Sequence, residues 1–160
     1  MTIGRVVSNS TPLIALSRIG QFTILKKYFS EINIPKAVYD EVVIQGGELY
    51  GAKEVKNLKW VNVQEVKNYL AVDALKASLD DGESEAIILA IELKANLLLI
   101  DDADGRKIAQ SMGLKITGTV GILLMAAENG DLNLKTSLDH LIAEGFRLSK
   151  KEYNRILKIF

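Results

Sequence analysis

The sequence predicts an α/β layered domain built on a mostly parallel sheet. Three observations predict it. Short apolar runs alternate along the chain with helix-like segments, the pattern of βα units rather than of a strand sandwich or a helix bundle. The run Leu97-Leu98-Leu99-Ile100 contains no polar residue, as a parallel strand covered on both faces requires. Acidic, amide or hydroxyl residues follow the apolar runs, where open α/β sheets bind ligands.

The elements follow in order. Arg5 to Ser8 reads as a first strand. Asn9-Ser10-Thr11-Pro12 supplies cap chemistry, with Ser10 or Thr11 as N-cap and Pro12 near the first helical turn. Leu13, Ile14, Leu16 and Ile19 form the apolar face of that helix, and Gly20 stops it. Phe22 to Phe29 reads as a second short helix, Ile32 to Pro35 as a strand, and Lys36 to Ile44 as a helix ended by Gly46-Gly47. Glu48 to Asn57 reads as a further helix. Trp60 to Val63 alternates with period two, an edge strand. Tyr69 to Leu79 and Glu83 to Leu93 read as helices, the second strongly apolar. Leu97 to Ile100 is the buried strand, Asp104 to Met112 a helix, and Lys115 to Thr117 a last strand. Thr119 to Asn129, Asn133 to Ala143 and Ser149 to Ile159 read as helices. No repeat or linker interrupts 160 residues, a length that suits one domain with a real core.

Composition excludes several classes. With 20 basic and 20 acidic residues, no global positive field advertises a nucleic-acid binder, although a local basic patch is compatible with this balance. The absence of cysteine removes disulfides, thiolate metal sites and cysteine nucleophiles. Met1 to Arg5 does not read as a signal peptide, and no apolar stretch approaches the roughly 20 residues needed to span a bilayer. A cytoplasmic protein without membrane partners is the expectation.

Four segments carry candidate chemistry. Asp101 and Asp102 follow the buried strand directly; either a cap for the next helix, at Asp102 or Asp104, or a functional pair would explain them. Adjacent carboxylates repel unless a cation or donor offsets them, which favours function. Asp80-Asp81-Gly82-Glu83-Ser84-Glu85 places four acids in six residues at a helix start. Asp80 and Glu83 have capping-box spacing, whereas Glu85 stands against the apolar run. Glu41 flanks the Val38–Val42 face of its helix, with Asp40 as the more exposed alternative. Asn9, Ser10 and Thr11 offer a neutral carbonyl and two hydroxyls after the first strand. Lys36, Arg106 and Lys107 are candidates for phosphate contact, and Thr119 for a hydroxyl aimed at the site. His140, the only histidine, reads as a surface residue. Oxygen donors of this kind suit a hard divalent cation.

Five pieces in order resemble the PIN-domain nucleases over residues 5–128: Val6-Val7-Ser8-Asn9-Ser10-Thr11-Pro12-Leu13-Ile14, Ile34-Pro35 with Val38 and Glu41-Val42, Leu79 to Ile87, Leu98 to Asp102 with Arg106 and Ala109, and Gly118 to Leu123. The opening is most similar to the VapC-like toxin branch. The resemblance implies a three-layer α/β/α sandwich with four or five strands. It also implies Mg²⁺ or Mn²⁺ at the carboxyl edge and endoribonuclease activity. By position it implies Glu41, Glu85 and Asp102 as metal-holding acids, with Asp101 sharing the role of Asp102 and Glu83 as rival to Glu85. Ser10, Thr11 or Thr119 would orient water or phosphate. Asn9 stands where the family usually has Asp, a loss of charge expected to weaken metal binding. The resemblance further implies an RNA substrate and a small antitoxin partner, and the apolar faces of the C-terminal helices, within residues 133–160, suit a homodimer. Two readings stand: a metal-dependent ribonuclease, and a catalytically silent PIN-like module that binds RNA or protein. A small-molecule phosphohydrolase is a third and weaker one.

Overall fold

The computed structural model describes residues 3–160; the expectation about a leader at Met1 and Thr2 lies outside them. Five parallel strands form one sheet in the order β3-β2-β1-β4-β5. They are β1 (Val6–Ser8), β2 (Ile32–Pro35), β3 (Val61–Gln64), β4 (Leu97–Leu99) and β5 (Ile116–Thr117). β1 is central, with Val6 opposite Leu97 and Ser8 opposite Leu99 on one side and Val7 opposite Asn33 on the other. β3 lies at the edge, as its alternating sequence predicts. Because every pairing is parallel, all five strands end on one edge of the sheet.

Helices cover both faces. α1 (Ser10–Arg18), α2 (Ile24–Phe29), α8 (Thr119–Glu128) and α9 (Leu134–Ala143) supply the first layer, where Leu13, Leu16, Phe29, Ile122 and Leu138 pack with Val6, Ile32, Ile34 and Leu99. α5 (Tyr69–Leu75), α6 (Asp81–Glu92) and α7 (Ala103–Ser111) supply the other, where Val72, Ile87, Leu89 and Ala109 pack with Val7, Leu98 and Ile100. Successive residues of β1 and β4 therefore enter opposite cores, the period-two geometry of a strand. Each such fully buried aliphatic chain contributes about 1.5–3 kcal/mol through its removal from water. The architecture is α/β/α, as predicted. α3 (Lys36–Tyr39), α4 (Ala52–Asn57) and α10 (Lys150–Ile159) complete the fold.

Several boundaries differ from the sequence reading. The N-cap of α1 is Asn9 rather than Ser10 or Thr11, and its side chain makes no capping bond. The helix expected from Lys36 to Ile44 is α3 followed by a π-helical segment, Asp40–Gln45. Val38 and Val42 are both buried, as their shared face requires. The helix expected from Glu48 begins only at Ala52, because Leu49 N bonds Gly46 O at 2.8 Å and closes a turn first. α5 stops at Leu75 rather than Leu79, since Asp80 must adopt extended backbone to cap α6. Among the described residues no helix is long and apolar enough to cross a membrane.

Candidate active site

The carboxyl edge of the sheet gathers the acids. The N-terminus of α6 organises them through a capping box. Glu83 N donates to Asp80 Oδ1 at 2.8 Å, and Asp80 N donates to Glu83 Oε1 at 3.3 Å. This satisfies two of the orphan donors at a helix start and holds Asp80 and Glu83 together. The helix then carries the Glu83 carboxyl toward Asp102: a Cβ on Gly105 would lie 3.4 Å from Glu83 Oε2, and Gly105 N donates to Asp102 Oδ2 at 2.8 Å.

Burial, reinforced by the charges of Asp80 and Asp102, pushes the Glu83 carboxyl up to about 8. A carboxyl in that state keeps its proton near neutral pH and can donate it to a neighbouring carboxylate. Asp102 itself is exposed and caps α7, accepting from Gly105 N at 2.8 Å. The cap and the functional explanation of Asp102 thus coexist on one side chain.

Asp101 points elsewhere. Its Oδ1 accepts from Thr119 N at 2.8 Å and its Oδ2 from Thr119 Oγ1 at 2.6 Å. It therefore anchors the start of α8, and the Thr119 hydroxyl proton is committed to it. Burial raises the Asp101 carboxyl, while the Thr119 bonds and the Arg106 charge oppose that rise. Arg106 Nη1 donates to Ile100 O at 3.0 Å. Gly118 lets these groups close up: a Cβ there would collide with Asp101 Oδ1 and lie 2.9 Å from Arg106 Nη1.

Glu85 also leaves the Asp102 cluster. Its Oε1 accepts from Ala37 N at 3.2 Å, at the first turn of α3. Glu83 and Glu85 are two residues apart, about 200° around a helix, so they serve different neighbours. Glu85 instead lines a polar cleft of about 580 Å³ with Lys36, Asp40, Glu41 and Asp80. A Cβ on Gly82 would lie 3.5 Å from Glu41 Oε2 and 3.7 Å from Asp80 Oδ1, so these two acids flank the same glycine. The carboxylates run as a ridge, Glu41 to Asp80 to Glu83 to Asp102. Asp80 is the member that sequence reasoning missed; its capping-box spacing was the signal, read there as a purely structural one.

Asn9 N donates to Leu99 O at 3.0 Å, which seats Asn9 beside the end of β4. Asn9 Oδ1, Ser10 Oγ and Ser84 Oγ are buried without a hydrogen-bond partner among the described residues. Thr11 is exposed and lines a groove with Asp101 and Asp102. Lys36 is exposed at the cleft, and His140 is exposed near Glu144.

Among the described residues no three acids or histidines stand close enough to form a ready metal group. The donors nevertheless suit a hard cation in part: two adjoining carboxylates, Glu83 and Asp102, and an amide oxygen, Asn9 Oδ1, that lacks a partner. Mg²⁺ is commonly held by one or two carboxylates, with waters and substrate phosphates completing its shell.

The sheet order, the acidic edge and the opening after β1 define the class, and the family match agrees. The family described as PIN domain matches residues 5–160, and the chain belongs to it. Members of this family are typically nucleases, which act on nucleic acid and generally use divalent metals. Among solved structures the chain is similar to a PilT N-terminus domain protein from the hyperthermophilic archaeon Sulfolobus solfataricus P2. The identity is 23%, the match covers 86% of this chain and 96% of that one, and the TM-score is 0.48. No curated protein matches.

Proposed function

We propose that the chain is a metal-dependent endoribonuclease that hydrolyses RNA phosphodiesters, with Asp102 and Glu83 at the centre of its site. The observation that supports this reading is that Glu83 and Asp102 meet at Gly105, at the carboxyl edge of a PIN fold. Carboxylates brought together by the fold repel, and a divalent cation between them offsets that repulsion. A bound Mg²⁺ or Mn²⁺ would supply an activated water and polarise the phosphate. Asp102 and Glu83 would hold it, with Asn9 Oδ1 as a neutral donor. Glu41 and Asp80 extend the acidic ridge, and Lys36 offers a cation to substrate phosphate. Arg106 is steadied by Ile100 O, and Thr11 stands on the open side to orient the substrate. Glu85 positions α3 through Ala37 N, and Asp101 positions α8 through Thr119.

The similarity to VapC-like toxins extends the proposal to a cytoplasmic toxin held in check by a small antitoxin. Exposed Ile44, Leu49 and Tyr50 support a protein interface beside the polar cleft, and exposed Ile159 and Phe160 support a homodimer through α10.

A second reading, a silent RNA- or protein-binding module, is favoured by the neutral Asn9 and the lack of three assembled acids among the described residues. Incubating the protein with structured RNA and Mg²⁺ or Mn²⁺, beside Asp102→Asn and a chelator control, separates the two. Metal-dependent cleavage that disappears in Asp102→Asn supports the nuclease. RNA binding without cleavage, or cleavage indifferent to the substitution, favours the silent module.

A further inference from the structure

The turn that carries Glu41 hangs on one side chain. Among the described residues, the only hydrogen bonds joining residues 40–57 to a part of the chain distant in sequence both fall on Ser17 of α1. Ser17 Oγ accepts from Gly51 N at 2.9 Å and donates to Glu54 Oε2 at the start of α4. A serine within a helix often turns its hydroxyl back to a carbonyl of its own helix. This one is buried and reaches across to α4 instead.

The tie closes an otherwise loose segment. Gly47, Glu48, Leu49 and Tyr50 are all exposed, so packing does not hold the loop there. Its two ends meet on Val42, which is buried. A Cβ on Gly46 would collide with Val42 O, and a Cβ on Gly51 would lie 3.3 Å from Val42 Cγ1 and 3.6 Å from Ile14 Cα. Gly51 takes φ of +89°, which a side chain would resist. Val42 is thus wedged between both ends of the loop and α1. Its neighbour Glu41 is half-buried and reaches Gly82 at the start of α6, where a Cβ would lie 3.5 Å from Glu41 Oε2. In a helical turn the direction of one side chain fixes that of the next, so the seat of Val42 sets the direction of Glu41.

We propose that Ser17 is a positioning residue for Glu41: its hydroxyl latches Gly51 and Glu54 to α1 and so holds Glu41 on the acidic ridge. The inference deepens the nuclease reading and rests on it, because that reading places the cation at this ridge. Without the hydroxyl, Gly51 N–H is left buried and unpaired, which favours opening of the loop toward water. Opening releases the wedge on Val42 and lets Glu41 leave the ridge. Cation affinity follows the number of charged oxygen donors, so it falls with that departure.

Two measurements on the full chain test the latch. The first is hydrogen exchange in chelator. Ser17→Ala is expected to speed exchange across residues 40–51 while α6 keeps its protection. Glu54→Ala opens the latch from the half-buried side and serves where Ser17→Ala does not fold. Glu54→Gln keeps an acceptor for the Ser17 hydroxyl and is expected to match wild type. The second is calorimetric titration with Mn²⁺ at a temperature where each variant is folded. Ser17→Ala is expected to raise the dissociation constant by about five-fold. In a Glu41→Gln background the same change is expected to have no effect, a coupling that a loss of stability alone would not produce. Unchanged exchange over residues 40–51 in both Ser17→Ala and Glu54→Ala overturns the latch. Unchanged Mn²⁺ affinity, or an equal loss with and without Glu41, overturns the role of Ser17 at the site and leaves the nuclease reading standing. Wild type that takes no Mn²⁺ overturns that reading and the role of Ser17 together.

Discussion

Glu83→Gln should make the metal-free protein more stable at alkaline pH. The carboxyl sits at about 8 in the folded chain against an ordinary value of 4.5. A raised carboxyl is protonated in both states below pH 4.5, so its folded environment costs nothing there. Between 4.5 and 8 the unfolded chain gives up the proton and the folded chain keeps it, so stability falls as pH rises. At about 1.4 kcal/mol per pH unit, the whole interval sets an upper bound of about 5 kcal/mol. Asp80 and Asp102, which contribute to the rise, are exposed, and solvent screening brings the expected loss to about 1–2 kcal/mol. Gln keeps an oxygen for Asp80 N and an N–H for Asp102 while removing the charge. For a chain of this size the variant should melt about 3–6 °C above wild type at pH 8 and level with it at pH 4. Thermal melts in chelator across that range measure the difference. A variant that melts below wild type at pH 8, or a gap independent of pH, would refute the reasoning.

Further outcomes follow from the same geometry. Mn²⁺ at a hundred times its dissociation constant should stabilise wild type by about 2.7 kcal/mol, and Asp102→Ala should abolish that rise; equal rises in both place the ion elsewhere. Asp101→Ala removes both acceptors of Thr119 and leaves a buried N–H unpaired, so urea unfolding should show a loss of about 1–3 kcal/mol. A loss of activity without that loss of stability would show Asp101 acting on substrate instead. Gly118→Ala should cost about 1–3 kcal/mol by driving a methyl into Asp101 and Arg106, and an unchanged midpoint would contradict the close packing there.

The α/β class and most elements were legible because they rest on local patterns. The apolar run of β4, the period-two alternation of β3 and the caps of α6 and α7 each occupy a few neighbouring residues. The π-helical segment was not legible, since Asp40–Gln45 carries the same apolar spacing that an α-helix would. The short α5 was missed for a related reason: helix propensity runs on to Leu79, and only the capping of α6 by Asp80 ends it.

Sequence alone determined which oxygen-bearing residues stand at strand ends and helix starts, and that Asn9 brings no charge to its place. It also determined the resemblance to PIN domains, because that resemblance is a matter of order and spacing. Only the tertiary structure decided between neighbours: Glu83 with Asp102, Glu85 with Ala37, Asp101 with Thr119. It also set Ser17 of α1 against Gly51 and Glu54. The physical reason is that periodicity fixes the side of an element a residue occupies, whereas the partner across a layer depends on how separately folded elements pack.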